Sequence, residues 1–305
     1  MKKSLMADLI LLCVTFAWGA TFVLVKEAIA TMPPFTFLGV RFAIAAVLLY
    51  LMLFLFKRNQ LKADKGAVRA GLVLGFWLFA GYAFQTFGLK YTTASKAGFI
   101  TGLSVVLVPL FSVWMLRLKP KRTTLVGIAA ATVGLALLSL DKVEAANLGD
   151  ALVFLCAVSF AMHITTMGKY APRFKALPLA TYQIAAVAMF NLLSGWLFEP
   201  WQQAFTKQVL FNPTVDMALI ICAVFATALA FLAQTQFQKF TTPSRTALIF
   251  STEPVFAAVT AYLWADERLS GQAVVGCLLI LVGMVIAELG GSDKKETPAE
   301  VPASC

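Results

Sequence analysis

The chain has 305 residues, 60% of them hydrophobic and 13% charged, with a mean hydropathy of +0.83. That balance excludes a water-soluble domain with a polar shell, so the solvent of this chain is lipid. The net charge of +10 follows from how its cations are placed, and no nucleic-acid partner is expected.

Crossing about 30 Å of hydrocarbon at 1.5 Å per residue takes about 20 apolar residues. Ten stretches meet that need: 7–30, 35–56, 70–89, 95–116, 123–140, 148–169, 178–198, 216–238, 244–265 and 271–289. Breakers and charges collect between them, at Met32-Pro33-Pro34, from Lys57 to Arg69, at Lys119-Pro120-Lys121-Arg122 and at Glu199-Pro200. An all-α integral membrane protein is expected.

The first stretch follows Lys2-Lys3 and carries Ala28-Ile29-Ala30, a superficial likeness to a signal-peptidase site. Its apolar run is too long for a signal core. Ionisable groups in hydrocarbon are costly, which makes each one a functional candidate. Arg41 on the second stretch lies seven residues past Pro34, and Glu27 precedes the same turn. The pair predicts a structural ion bridge at the outer end; direct substrate contact by Arg41 is the other reading.

On the third stretch Tyr82, Gln85 and Thr86 form one stripe, matched on the eighth by Phe231, Gln234 and Thr235. Such stripes either line an interface between halves or glue helices together through amide hydrogen bonds. On the sixth, Ser159, Met162, His163, Thr166 and Tyr170 share a face. His163 has no companion at metal spacing, so it reads as a hydrogen-bonded structural group or as a cavity residue, and no metal site is expected. The five cysteines show no paired spacing and read as small packing residues.

On the ninth stretch Glu253 lies eight residues beyond Arg245, which puts it ~12 Å into the bilayer and close to the midplane. Pro254 lacks an N–H, so the helix should kink there and the Phe250 carbonyl should lose its partner. A carboxylate beside such a break can bind a cation or a substrate amine, or exchange protons. The alternative is a protonated glutamate that only packs helices.

A duplication organises these elements. At an offset of 149, QTFGLKYTTAS (85–95) and QTQFQKFTTPS (234–244) match at Gln85/Gln234, Thr86/Thr235, Lys90/Lys239, Thr92/Thr241, Thr93/Thr242 and Ser95/Ser244. The same offset pairs Gly127 with Gly276, Gly134 with Gly283, and Glu253 with Ser104. The glycine spacing permits close helix contact. Ten stretches split into five and five, and an odd number per copy makes the second copy enter the bilayer from the opposite side. Residues 1–141 are expected to form the first repeat, 146–289 the second, and 290–305 a polar cytoplasmic tail.

Cytoplasmic loops accumulate Lys and Arg. With the amino terminus inside, 18 basic residues fall on the inner side and six outside, with Arg41 left in the bilayer. Both termini are expected in the cytoplasm.

AGFITGLSVVLVPLFS (97–112) and EPVFAAVTAYLWADERLSGQAVVGCLLILVGMVIAE (253–288), with the opening LILLCVTFAWGATFVLVK, resemble the drug/metabolite transporter superfamily, EamA type. The likeness covers nearly the whole chain. It implies ten helices in two inverted five-helix repeats that move small organic solutes across the inner membrane, often as exporters of amino acids or related metabolites. It also implies a central cavity lined by helices one, three, four, six, eight and nine. Carried over residue by residue, the cavity would involve Trp18, Tyr82, Gln85, Phe99, Ser104, Met162, His163, Gln234, Phe250 and Glu253, with Thr86 and Thr235 beside the glutamines. Pro109 and Pro254 are the implied hinges of an alternating opening. Asp266-Glu267 departs from the Gly-Glu common in the family.

The leading expectation is thus a secondary carrier of a small amphipathic or aromatic metabolite, with protons as a coupling ion through Glu253. No GxxxxGK[ST] motif is present, so direct ATP drive and a cofactor are not expected. The rival is an integral-membrane enzyme on lipid-linked substrates, which would need several acidic, histidine or cysteine groups gathered together. A receptor or channel component is a further rival. The sequence leaves substrate identity, direction and oligomeric state open.

Overall fold

A computed structural model describes residues 2–61, 64–88, 91–92, 94–139, 147–264 and 270–289. The expected tail and the Asp266-Glu267 loop lie outside those residues. Among the described residues all regular structure is helical: α1 (Lys2–Thr31), α2 (Pro34–Phe56), α3 (Lys65–Gly88), α4 (Ala94–Gly102), α5 (Ser104–Leu116), α6 (Arg122–Ser139), α7 (Leu148–Tyr170), α8 (Ala176–Phe198), α9 (Lys207–Leu210), α10 (Pro213–Ala223), α11 (Ala230–Phe237), α12 (Pro243–Phe250), α13 (Glu253–Trp264) and α14 (Gly271–Leu289). A π-helical turn, Val224–Leu229, joins α10 to α11.

Seven of the expected stretches are long and apolar enough to span a membrane, and the shorter apolar helices Arg122–Leu138 and Gly271–Ala287 stand for the fifth and tenth. The ninth is α12 followed by α13. It breaks at Ser251-Thr252, where the Ser251 and Thr252 hydroxyls donate to the Leu248 and Ile249 carbonyls at 2.7 Å each.

Helix contacts obey a two-fold relation between the copies. α7 packs on α3 and α5, while α1 packs on α10, α11 and α13, their counterparts in the other copy; α2 packs on α8 and α6 on α14, each with its own counterpart. The glycines expected to allow close contact do so reciprocally. A Cβ on Gly134 or on Gly276 would lie 2.6 Å from the other's carbonyl oxygen, and Gly127 and Gly283 oppose each other in the same way. Backbones that close leave no room for a side chain, and overpacking costs about 1–3 kcal/mol or more. Gly134→Leu is therefore expected to lower the thermal unfolding midpoint in detergent, and an unchanged midpoint would count against this contact.

The outer end is tied by a carboxylate. α2 begins at Pro33-Pro34, where the N-cap has no side-chain acceptor of its own. Glu199, at the end of α8, supplies one: its carboxylate accepts from the Phe35 N–H (2.8 Å), the Thr36 N–H (2.9 Å) and the Thr36 hydroxyl (3.0 Å). A negative charge at a helix N-terminus is favourable. Glu199→Ala should lose about 1–2 kcal/mol of stability, read as a fall in the same midpoint.

The two ends of the bundle differ in packing. At the end where α12 starts, every residue from Pro243 to Ile249 is buried, as are Ala7, Asp8, Leu11, Val14 and Thr15 of α1. Asp8 and Arg245 form an ion pair there at 2.9 Å. Towards the other end, residues 82–87 of α3 and 98–104 of α4 and α5 are half-buried throughout, and a Cβ on Gly98 would meet nothing within 4 Å. The structure is closed at the end bearing Lys2 and Leu289, and looser at the opposite one.

Candidate functional site

Both broken spans break at the same place. α4 ends at Gly102 and α5 starts at Ser104; 149 residues on, α12 ends at Phe250 and α13 starts at Glu253. Leu103, at the first break, shares its N–H between the carbonyls of Phe99 (3.2 Å) and Ile100 (3.1 Å). The two-fold relation thus sets Ser104 and Glu253 at equivalent depths on opposite sides of the axis, each opening a helix. Pro254 lies at its break as expected. Pro109 does not: α5 runs through it unbroken, because the chain has already turned at Leu103 and only the bond to the Val105 carbonyl is lost at the proline.

Glu253 is half-buried, and among the described residues its carboxylate has no hydrogen bond or ion pair. It lies within electrostatic range of Arg41, Tyr82 and Cys156, which come from α2, α3 and α7. Aromatic rings from both copies pack on one another in this region. Trp18 meets Phe250 edge-on at 4.9 Å and Phe231 at 5.5 Å, and Tyr82 meets Phe42 and Phe160 at 5.5 Å each. Gln85 donates to Thr101 at 3.4 Å, and Thr101 neighbours the Cys156 sulfur at 3.8 Å. Trp18, Tyr82, Gln85, Thr86, Phe99, Ser104, Met162 and Phe250 are half-buried like Glu253. These partly buried side chains come from both copies.

The polar stripe of the second copy is used differently. His163, Gln234 and Thr235 are buried. His163 Nε2 lies 3.2 Å from Gln183 Oε1, Gln183 donates to Thr235 at 3.0 Å, and Thr235 donates to the Phe231 carbonyl at 2.6 Å. Gln183 Nε2 is the donor to Thr235, so His163 Nε2 carries the proton in its bond to Gln183. Gln234 donates to Gln238 at 3.1 Å, and Gln238 to the Ile164 carbonyl at 2.6 Å. These bonds join α7 to α8 and α8 to α11, and through Gln238 they tie the end of α11 back to α7, whereas Gln85 and Thr86 are half-buried.

The ion bridge expected between Arg41 and Glu27 does not form. Glu27 is exposed, while Arg41 is buried and donates from Nε to Thr227 Oγ1 (2.8 Å) and from Nη2 to the Ala226 carbonyl (3.3 Å). α1 and α2 scarcely touch; α1 packs on α10 to α13 instead, so closeness in sequence misleads. The π-helical turn supplies the substitute. Its widened backbone also offers the Ala226 carbonyl to Trp18 Nε1 at 2.9 Å, so one turn fixes both the cation and an aromatic wall. Sequence reasoning missed this turn, and with it Gln183, although Gln183 takes the place of Arg41 when α2 and α8, both 23 residues, are laid end to end.

A profile of the EamA-like transporter family matches residues 5–140 and again residues 147–288. The chain belongs to the EamA-like transporter family. One EamA-like match falls on each copy of the duplication. An uncharacterized transporter of Archaeoglobus fulgidus (strain ATCC 49558 / DSM 4304 / JCM 9628 / NBRC 100126 / VC-16) is 36% identical over 94% of this EamA-like chain and 87% of its own length. The uncharacterized transporter YetK of Bacillus subtilis (strain 168) is 25% identical over 99% and 92% respectively. A crystal structure described only as that of a protein superposes with a TM-score of 0.79 at 19% identity, covering 93% of this chain and 96% of the other; it shares the fold. The EamA-like chain is a membrane transporter and not an enzyme.

Proposed function

We propose that the protein is a secondary transporter that carries a small organic solute, with a cationic amine beside an aromatic or apolar body, by alternating access through a hollow at Glu253. The observation that carries this reading is the Glu253 carboxylate, half-buried and without a partner among the described residues. An unpaired charge at mid-bilayer is costly unless a ligand or a proton compensates it. The surrounding rings of Trp18, Tyr82 and Phe250 suit the face of an aromatic solute or, by cation–π attraction, its amine. At the opposite break Ser104 is half-buried, and its hydroxyl takes a polar end of the same solute in this reading.

Alternating access is supported by the asymmetry of packing. The end with Asp8 and Arg245 is closed, the other is loose, and the two-fold relation makes the reverse arrangement accessible to the same helices. We infer that Glu253 exchanges protons against the solute. Export across the inner membrane is the direction that the family likeness supports, and the basic inner loops support both termini lying in the cytoplasm.

Purified protein in vesicles tests the reading. Labelled aromatic amines and amino acids should show saturable counterflow, and their carboxylate-only analogues should not. Flux that never saturates, or equal flux of the anionic analogues, would refute it.

A further inference from the structure

An open cleft of about 670 Å³ lies at the closed end of the bundle, away from Glu253 and sharing none of the residues of the hollow. Lys57 from the end of α2, Lys175 from the start of α8 and Lys239 beyond α11 line it together, and no acidic residue does among the described residues. One wall is a single face of the eighth span: Leu229, Leu232, Ala233, Gln236 and Phe237 recur at helical spacing, apolar where deep and polar only near Lys239. From Leu229 to Lys239 this wall is ~15 Å long.

The two-fold relation shows what the cleft lacks. With α2 and α8 aligned end to end, Lys57 takes the place of Glu199 and Leu177 that of Phe35. At the outer end the Glu199 carboxylate holds the Phe35 and Thr36 N–H groups, and the Phe35 and Phe87 rings meet at 5.1 Å. At the inner end the residue in that place is a cation. The N–H groups of Ala176 and Leu177, which line the cleft, have no acceptor among the described residues, and α8 has no side-chain cap.

We propose that this cleft is a binding site for one anionic phospholipid. Its phosphate takes the place that Glu199 fills at the outer end, against the α8 N-terminus and the three lysines. One acyl chain lies along Leu229 and Leu232 towards the bilayer centre. Insertion bias accounts for basic residues anywhere in the inner loops. It does not account for three of them converging, from both repeats, over an uncapped helix start and an apolar wall. A free anion would satisfy the lysines and leave that wall bare.

Delipidated protein in detergent would be titrated with phosphatidylglycerol, phosphatidylcholine of the same chains, and inorganic phosphate, reading bound lipid by native mass spectrometry and the unfolding midpoint. Phosphatidylglycerol should be retained as a single adduct and raise the midpoint, while phosphatidylcholine and phosphate should do neither. The triple variant Lys57→Gln/Lys175→Gln/Lys239→Gln should bind phosphatidylglycerol roughly a hundredfold more weakly, and Leu232→Trp, which fills the cleft at unchanged charge, should also weaken it. Lys65→Gln/Lys119→Gln/Arg122→Gln, which removes as much charge elsewhere on the same face, should bind as the parent does. Equal shifts with phosphatidylcholine or phosphate, an adduct surviving the first triple variant, or equal loss in the second would each overturn the proposal.

Discussion

Glu253→Gln is expected to abolish concentrative transport while leaving the protein folded. Among the described residues the carboxylate has no hydrogen bond to lose, and Arg41 keeps its bonds to Thr227 and the Ala226 carbonyl, so removing the carboxylate strands no donor and the protein should stay folded. The amine of the solute, by contrast, loses its counter-charge in a desolvated site. That loss costs roughly 2–5 kcal/mol, or about 30- to 5,000-fold in affinity. Where the solute still binds through the aromatic wall, exchange of solute for solute survives at raised concentration, whereas flux driven by a pH gradient does not. Uphill transport at the parent rate in Glu253→Gln would remove both roles of this residue.

The second large effect is expected at the closed end. Asp8 and Arg245 belong to different repeats, are both buried, and meet at 2.9 Å. Removing one partner of a buried pair weakens what holds the other's charge, at a cost of up to about 3–5 kcal/mol. Asp8→Asn should therefore pull the equilibrium away from the closed-inside arrangement towards one in which water reaches Arg245. The readout is a single cysteine at Thr246, fully buried in the parent, in a background lacking the native cysteines. Its reaction with a membrane-impermeant thiol reagent added on the side of the termini should be slow in the parent and fast in Asp8→Asn. Equal protection in the two would show that the pair is structural filler and not a gate.

Elements whose signal is local were legible in the sequence. Hydropathy and length locate the spans, the repeat at 85–95 and 234–244 reveals the two copies, and the glycine spacing at 127/134 and 276/283 anticipates the α6–α14 contact seen in the fold. Glu253 stood out because a carboxylate followed by proline in an apolar run has few readings. What escaped depends on partners far apart in the chain. Arg41 finds Thr227 and the Ala226 carbonyl, more than 180 positions away, and no periodicity signals that a π-helical turn will present them. The break at Leu103 escaped because it does not rest on the proline: Pro109 is accommodated within α5, and the turn is made ahead of it, just past Gly102. Gln234 and Gln85 are equivalent in sequence yet differ in use, since Gln234 donates to Gln238, which in turn donates to the Ile164 carbonyl, while Gln85 donates to Thr101.

Alternating access requires a hollow halfway through the bilayer that opens to one side at a time. A single cysteine at Ser104, which stands opposite Glu253 across the two-fold axis and need not disturb its charge, tests it most directly. A membrane-impermeant reagent should label it from the side opposite the termini, and a transported amine should protect it from that label. No labelling from either face would contradict the account.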